Sequence, residues 1–192
     1  MRVVAINGSA RKNGNTSILL QKVSKPLADG GAQIETFWLG HNLKPCLACY
    51  RCYESKDNKC IQKDNFNQIF ETLLKSDALL IGSPVYVADV SPQTKAFIDR
   101  ACLVARANDS VLRRKVGAAV VAVRRGGAIH AFDSINHFFG INQMITVGST
   151  YWNFAFGRNI GEVESDSEAM ENMKNLGENI LWLTKKTGAN NE

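Results

Sequence analysis

Short runs of apolar residues alternate along this chain with longer stretches in which apolar positions recur every three or four residues. The short runs predict five β-strands, at residues 3–7, 32–39, 77–83, 115–123 and 142–149. The periodic stretches predict helices, from about residue 16 and over residues 64–75, 92–107, 127–139 and 170–183. This alternation is typical of a parallel sheet with helices on both of its faces.

Five strands in this arrangement favour an α/β three-layer sandwich, with a parallel sheet of order 2-1-3-4-5. Such folds bind ligands at the carboxyl ends of the strands, near strands 1 and 3, where the strand order reverses. The chain has 192 residues, which suits one domain over residues 1–192 with a cysteine-rich insertion at about 45–60. All the stretches discussed below follow a predicted strand, so we expect them to share one rim of the sheet.

Composition and charge narrow the function classes. The net charge is +5, but the basic residues are not gathered in one stretch with interleaved aromatics, so we expect no nucleic-acid partner. The first apolar run is too short for an export signal or a membrane span, so we expect a cytoplasmic protein with no membrane partner. A mild excess of basic residues suits an anionic small ligand, such as a phosphate-bearing cofactor.

The turn after the first strand, NGSARKNGNTS, is rich in short polar donors. A helix that begins just after it offers unpaired N–H groups to a phosphate. The turn has neither the G-x-G-x-x-G of dinucleotide-binding folds nor a Gly-Lys-Ser/Thr phosphate loop. We therefore favour a single phosphate, as in FMN, over an ordinary polar turn with Thr16 as helix cap. The candidate residues are Ser9, Arg11, Asn13, Asn15, Thr16 and Ser17.

Two later turns could contact a flat heterocycle. After strand 3, Pro84 fixes the backbone, and Val85, Tyr86 and Val87 offer apolar and aromatic surface with free backbone amides. After strand 4, the pair Arg125 and Gly126 combines a positive charge with a backbone that a ligand can approach closely. A structural turn or a helix cap would explain either stretch taken alone.

Four of the five cysteines form the pattern Cys46-x2-Cys49-x2-Cys52-x7-Cys60. A reducing cytosol argues against disulfides. Zinc sites usually combine two well-separated C-x2-C pairs, whereas successive x2 spacings match the chemistry of ferredoxin-type clusters. We expect these four thiols to hold a 4Fe–4S cluster, with zinc or free redox-active thiols as the alternatives.

Together these motifs resemble the NADPH-dependent FMN reductase-like flavoproteins, and within them the iron–sulfur flavoproteins of anaerobes. The resemblance covers nearly the whole chain. It rests on Gly8-Ser9-x-Arg11-x-x-Gly14-Asn15-Thr16, the four-cysteine pattern, Gly82-Ser83-Pro84-Val85-Tyr86 and Lys95-x-Phe97-x-Asp99-Arg100.

The resemblance implies a flavodoxin-like fold with non-covalent FMN and a 4Fe–4S cluster on the four cysteines. It assigns the phosphate to Ser9, Arg11, Asn15 and Thr16, and the isoalloxazine to Pro84, Val85 and Tyr86, with Arg125 and Gly126 nearby. Lys95, Asp99 and Arg100 look structural or interfacial rather than catalytic.

The expected function is that of an FMN-dependent electron-transfer oxidoreductase which relays electrons between FMN and the cluster. The donor would be NAD(P)H or a ferredoxin-like carrier. We expect a homo-oligomer, a dimer or tetramer, with aromatic residues 151–156 at the subunit contact. Two alternatives are a cluster-free NAD(P)H-dependent FMN or quinone reductase, and a non-catalytic flavodoxin-fold interaction module with a zinc-stapled cysteine loop.

Overall fold

The computed structural model describes residues 1–188, in which a parallel sheet lies between two layers of helices. The strands are β1 (Arg2–Asn7), β2 (Gln33–Trp38), β3 (Ala78–Pro84), β4 (Val116–Val123), β5 (Ile145–Thr146) and β6 (Phe154–Phe156). The helices are α1 (Asn15–Asp29), α2 (Arg51–Ser55), α3 (Phe66–Leu74), α4 (Pro92–Ala107), α5 (Ala128–Ile141) and α6 (Ser167–Gly188), with a 3-10 turn at Glu162–Ser165. The predicted single domain runs to residue 192, so its last four residues, 189–192, lie outside the described part.

Alternating residues of the central strands point to opposite faces of the sheet and form two separate cores. On one face, Val4 and Ile6 of β1 pack with residues of α3, α4 and α5. On the other, Val3 and Ala5 pack with α1 and α6. Every residue of β4 is buried, as expected for a parallel strand that is covered on both faces. These two cores produce the predicted three-layer sandwich.

The strand order is β2-β1-β3-β4-β5, and all the strand pairs are parallel. The predicted order 2-1-3-4-5 is therefore confirmed, and the fold is flavodoxin-like. The carboxyl ends of β1, β3 and β4 consequently lie at one rim of the sheet. None of the helices in the described part of the chain is long and apolar enough to cross a membrane.

The fifth position of the sheet differs from the prediction. The expected strand over residues 142–149 shrinks to Ile145–Thr146, and a second short strand, β6, was not predicted. β5 pairs with the start of β4 and β6 with its end. Both residues of β5 are exposed, so the apolar pattern of residues 142–149 did not reflect a buried strand.

Candidate functional site

A buried hydrogen-bond network joins the carboxyl ends of β1 and β3. The N–H of Gly8 donates to the carbonyl of Gly82 (2.9 Å), and the Ser91 hydroxyl donates to the carbonyl of Gly8 (2.6 Å). Ser91 also caps α4 by accepting from the N–H of Thr94 (3.1 Å). A side chain at position 8 would clash, because its Cβ would lie 1.9 Å from Oγ1 of Thr94. This network sets the spacing between the first and third strand ends.

Sequence reasoning missed Ser91 and Thr94, both of which are fully buried. The sequence did contain a signal for this helix start, because Ser91 stands directly before Pro92. Serine is a favoured N-cap, and proline suits the first helical position. The role of this network in the site is to position the backbone at the ends of β1 and β3.

The phosphate loop is ordered by its own short contacts. Ser9 is buried, its N–H donates to Oδ1 of Asn7 (3.1 Å), and its hydroxyl accepts from the N–H of Arg11 (3.1 Å). The N-cap of α1 is Gly14, and no side chain caps this helix. Thr16 is therefore not the cap that the alternative interpretation required. The N–H of Ser17 donates to the carbonyl of Gly14 (2.9 Å), so the N–H groups of Asn15 and Thr16 are the first-turn donors available to an anion, which fits the phosphate of FMN.

The other predicted phosphate residues are placed differently from one another. The side chain of Asn15 donates to the carbonyl of Asn159 (2.9 Å) and accepts from the N–H of Gly161 (2.8 Å), so it holds a distant loop against α1. Asn13 is exposed, and the hydroxyl of Ser17 accepts from the side chain of Gln21 (3.3 Å). At the rim the Arg11 side chain is exposed, whereas Ser9 and Thr16 are buried and the Asn15 side chain is committed to the fold.

Trp38, at the end of β2, is a contact of the phosphate loop that the sequence did not reveal. Its indole N–H donates to the carbonyl of Ser9 (2.7 Å). The ammonium group of Lys12 lies 5.9 Å from the indole ring, and His41 meets the same ring edge-on at 5.8 Å. The end of β2 is thereby tied to the phosphate loop.

The predicted heterocycle loop contains a strained two-residue turn. The N–H of Tyr86 donates to the carbonyl of Asp89 (2.8 Å), and the reverse bond measures 3.0 Å. Between them, Val87 and Ala88 have φ values of +50° and +61°. A turn of this kind normally uses Asn-Gly, and a β-branched residue at positive φ is strained. Val87 is nonetheless completely exposed, so the strain is maintained at the surface of the rim.

Two of the three backbone amides expected to be free in this loop, those of Val85 and Tyr86, are hydrogen-bonded, so the expectation was wrong for these two. The N–H of Val85 donates to the carbonyl of Ala122 (3.0 Å), and the N–H of Tyr86 is bonded within the turn. The loop instead offers side chains to an open cavity of about 330 Å³. That cavity is lined by Val85, Val87, Ala88, Val123, Arg124, Arg125 and Gly126. The structure therefore brings the two predicted heterocycle stretches together.

Asp89 holds the strained turn against α5. Its carboxylate accepts from the hydroxyl of Ser134 (2.7 Å) and lies 3.5 Å from Nε2 of His130. Burial by itself raises the pKa of Asp89, but hydrogen bonds, chiefly from Ser134, outweigh it and lower the pKa. A Cβ at Gly127 would come within 2.6 Å of the backbone of Ala88. The turn and the start of α5 consequently pack as one unit.

The cysteine segment, residues 46–60, gathers thiols without closing a cage. Within residues 1–188, no group of three or more His, Cys, Asp or Glu side chains is arranged to hold a metal ion. Burial raises the pKa of the Cys52 thiol, and Cys60 and Cys49 are near enough to raise it further. Thiol sulfur is a suitable ligand for an iron–sulfur cluster. The side chains of this segment therefore fit the chemistry of a cluster, although the four thiols do not form a closed ligand set.

Several residues of the cysteine segment have left-handed backbone without being glycine. They are Ala48, Tyr50, Lys56 and Asn58, with φ values from +47° to +61°. Tyr50 and Lys56 flank the short helix α2 at its two ends. Such conformations cost free energy and persist only where the surroundings impose them. The segment therefore follows a constrained path over its whole length.

A buried ion pair anchors the residues on either side of this segment, Lys44 and Asp64, to the core. Arg100 of α4 contacts both carboxylate oxygens of Asp64 (2.6 and 3.0 Å), and its guanidinium lies 4.3 Å from the centre of the Phe66 ring. Burial by itself raises the pKa of Asp64, but the hydrogen bonds from Arg100 and the backbone outweigh it and lower the pKa. Arg100 is therefore structural, whereas Lys95 and Asp99 are exposed and pair with each other.

Comparison with known proteins identifies the relatives of this chain. Residues 1–159 match the family described as NADPH-dependent FMN reductase. An iron-sulfur flavoprotein of Methanocaldococcus jannaschii is 33% identical over 96% of this chain and 98% of its own. An iron-sulfur flavoprotein of Archaeoglobus fulgidus is 31% identical over 95% of this chain and 92% of its own.

Solved structures show the same fold at low sequence identity. RosB, crystallised with 8-demethyl-8-formylriboflavin-5'-phosphate, superposes with a TM-score of 0.77 at 15% identity, covering 100% of this chain and 82% of its own. A flavodoxin from the domain Archaea superposes with a TM-score of 0.64 at 14% identity, covering 96% of this chain and 99% of its own. At these identities the similarity supports the flavodoxin-like architecture.

Proposed function

The chain belongs to the NADPH-dependent FMN reductase family and is an FMN-dependent oxidoreductase; on that premise we propose that it also carries a 4Fe–4S cluster and functions in electron transfer. The ligands of the cluster would be Cys46, Cys49, Cys52 and Cys60. The electron donor would be NAD(P)H or a ferredoxin-like carrier. The observation that carries the FMN part is the uncapped N-terminus of α1, which opens at the rim where β1, β3 and β4 end.

In the proposed complex, the phosphate of FMN is held by backbone N–H groups at the start of α1 and by the Arg11 side chain, while Ser9 and Thr16 shape the loop around it. The isoalloxazine contacts Pro84 to Val87, of which Val85 and Val87 line the cavity that Arg125 and Gly126 also border. FMN supplies the redox chemistry, since it takes up two electrons and can release them singly. The contribution of the protein is to bind and orient the cofactor, and to place the Arg125 charge where it offsets negative charge on a reduced flavin.

The cluster is supported by the cysteine spacing and by relatives that are named iron-sulfur flavoproteins. The described thiols do not form a closed ligand set. Binding of a cluster should therefore rearrange the segment, whose exposed Cys49 has room to move.

Anaerobic purification with iron and acid-labile sulfide analysis tests the cluster directly. We expect about four irons per protomer in the native chain. Replacing Cys49 with alanine should abolish iron binding and leave FMN affinity unchanged, because Cys49 belongs to the cluster ligands and not to the FMN loops. Cys102→Ala is the matched control, since Cys102 lies on α4 outside the segment, and it should retain iron.

The open arrangement of the thiols favours one alternative, a cluster-free NAD(P)H-dependent FMN or quinone reductase. A native protein that is saturated with FMN yet contains no iron would establish that alternative. A colourless protein that binds zinc but no FMN would instead indicate the interaction module, and would contradict the proposed electron-transfer function.

A further inference from the structure

A cavity of about 830 Å³ lies at the edge of the sheet opposite to the proposed FMN site. Met1 precedes β1, Asp77 precedes β3 and Lys115 precedes β4, and all three residues line it. Because the strands are parallel, their amino ends meet at this edge, whereas the FMN loops follow their carboxyl ends. The volume is within the range of small-molecule sites, about 300–1,000 Å³. The proposed function leaves this cavity without a role.

The charged side chains of this cavity are almost all basic, and we refer to it as the basic cavity. Asp77 is the acidic residue of its described lining, and the carboxylate already accepts from the N–H of Arg2 (2.7 Å). Within residues 1–188, Arg113, Arg114 and Lys185 form no ion pair. A cleft lined by charges of one sign concentrates ligands of the opposite sign. The basic lining residues are Arg113, Arg114, Lys115 and Lys185.

The loop that carries the two arginines is held in one conformation by backbone contacts. The N–H of Arg113 donates to the carbonyl of Ser110 (2.8 Å), and the N–H of Arg114 donates to the carbonyl of Gln143 (2.9 Å). Leu112 beside them is fully buried. Arg114 has a φ of +67°, a left-handed conformation that persists in a non-glycine residue only where the surroundings impose it. The two guanidinium groups are therefore attached to a fixed backbone, which lowers the entropy cost of binding a ligand.

Lys115 adds a partly desolvated positive charge to the same cavity. Its ammonium group donates to the carbonyls of Leu74 (3.0 Å) and Ser76. Burial lowers the pKa of Lys115, and the charge of Asp77 raises it by less. An anion bound nearby would stabilise the ammonium form, because an opposite charge offsets the cost of burial.

The remaining lining residues indicate what the ligand carries besides negative charge. Met1, Val111 and Ile145 give the cavity an apolar part, which an inorganic anion would leave without contacts. The hydroxyls of Ser76 and Thr184 already donate to backbone carbonyls, so anion recognition depends on the basic side chains. Guanidinium groups bind phosphate oxygens through paired hydrogen bonds. A phosphate-bearing ligand with a flat apolar ring system matches both halves of the lining.

We propose that the basic cavity binds a nucleotide with two or more phosphates. The phosphates pair with Arg113, Arg114 and Lys185, and the base packs against Val111 and Ile145. This inference goes beyond the proposed function and needs neither FMN nor a cluster. The nucleotide is not the electron donor of the flavin. β4 spans the sheet with eight residues, and at about 3.3 Å per residue its two ends are about 25 Å apart.

Calorimetric titration of the FMN-loaded full chain with ADP tests the site. We expect saturable binding of ADP, and at least tenfold weaker binding of pyrophosphate and of adenosine, because each lacks one half of the ligand. Pyrophosphate that binds as tightly as ADP, or the absence of ADP binding, overturns the proposal. A single-stranded oligonucleotide that binds more tightly than ADP also overturns it, in favour of a nucleic-acid surface.

Substitutions in the lining test which side chains hold the phosphates. The double variant Arg113→Gln/Arg114→Gln should bind ADP at least tenfold more weakly, and Lys185→Gln several-fold more weakly. Lys174→Gln is the matched control, since it removes an exposed cation of the same helix, α6, that pairs with Glu171 (3.1 Å). Native ADP affinity in the double variant and in Lys185→Gln overturns the proposal. If the double variant fails to fold, Lys185→Gln at its exposed position still decides.

The place of binding is read from backbone amide resonances of the native ¹⁵N-labelled, FMN-loaded chain. ADP should shift the resonances of residues 113–115 and 145–146 and leave those of residues 9–17 and 85–89 in place. The opposite pattern would locate the nucleotide at the flavin rim and overturn the proposal. Failure of this inference leaves the proposed function intact, because the iron and sulfide analysis and the FMN titration do not involve the basic cavity.

Discussion

Within the phosphate loop, individual side chains divide into those that build the loop and one that can reach a ligand. Ser9 and Asn15 are occupied by loop and long-range contacts, whereas the side chain of Arg11 is exposed. The electrostatic part of phosphate recognition should therefore depend on Arg11, and the rest on backbone N–H groups of α1.

Replacing Arg11 with alanine should weaken FMN binding by about 1.5–3 kcal/mol, the usual contribution of a hydrogen bond to a charged group. Isothermal titration of apoprotein with FMN measures the change. The matched control is Lys25→Ala, which removes an exposed cation of α1 that pairs with Asp29 (3.0 Å). Unchanged FMN affinity in Arg11→Ala would remove Arg11 from the site.

Single residues also show what the sequence could and could not reveal about the site. That Ser9, Arg11 and Thr16 share one turn was predictable because they are neighbours in sequence, and their contact with a phosphate stays a prediction. The commitment of Asn15 was not, because its partners Asn159 and Gly161 are more than 140 residues away. The burial of Arg100 was equally hidden, since nothing local marks a helical arginine as paired with a residue of another segment.

At the level of elements, α4 is the part that connects the two halves of the candidate site. Its N-cap, Ser91, bonds to the carbonyl of Gly8 beside the phosphate loop. Its later turn carries Arg100, which bonds to Lys44 and Asp64 on either side of the cysteine segment. The orientation of this one helix thus affects both proposed cofactor sites.

Ser91→Ala should lower the free energy of unfolding by about 1–3 kcal/mol, because it removes a helix cap and leaves buried polar groups without their partner. Denaturant unfolding measures this loss, and FMN titration should show weaker binding as the spacing of β1 and β3 relaxes. Thr72→Ala is the control, since that exposed hydroxyl bonds only within α3 (3.2 Å). Native stability in Ser91→Ala would contradict the role of the network.

The elements that sequence reasoning recovered are those with a strong physical signal. β1, β3 and β4 are almost entirely buried, so they appear as unbroken apolar runs. The prediction was wrong at the fifth position of the sheet because β5 is exposed and β6 has only three residues. Likewise, α2 is too short to show a helical period, and left-handed residues flank it.

For the molecule as a whole, the ion pair of Asp64 and Arg100 links stability to pH. The pKa of Asp64 is lower in the folded protein than its ordinary value of 3.8. The ionised carboxylate therefore stabilises the fold above about pH 4, and this contribution is lost as the pH falls through the lower folded value.

Asp64→Asn should cost about 3–5 kcal/mol at neutral pH, because it leaves Arg100 buried without its counterion. Below about pH 4 its unfolding free energy should fall less steeply than that of the native chain. Urea unfolding over a pH series tests both statements. Glu71→Gln, which alters an exposed ion pair with Lys75, should change little. Parallel acid profiles for Asp64→Asn and the native chain would refute the linkage.

Exposed apolar residues of the loop around Tyr151 bear on the predicted homo-oligomer. Tyr151, Trp152 and Ile160 are 59%, 52% and 62% exposed, and we predict that a second copy covers them. Sedimentation equilibrium should show a dimer or tetramer that Trp152→Ser shifts toward monomer. Trp182→Ser, at a tryptophan of α6 that is 62% exposed, should not cause this shift. A native chain that sediments as a monomer would contradict the prediction.

The split fifth position of the sheet also affects how molecules of this protein meet. An uninterrupted edge strand can recruit a strand from another molecule and start aggregation. Here β5 has two residues and β6 three, and residues 147–153 interrupt the line between them. Neither piece offers enough consecutive backbone groups to hold an incoming strand. The division of the fifth position into two short strands thus protects this edge of the sheet against uncontrolled polymerisation.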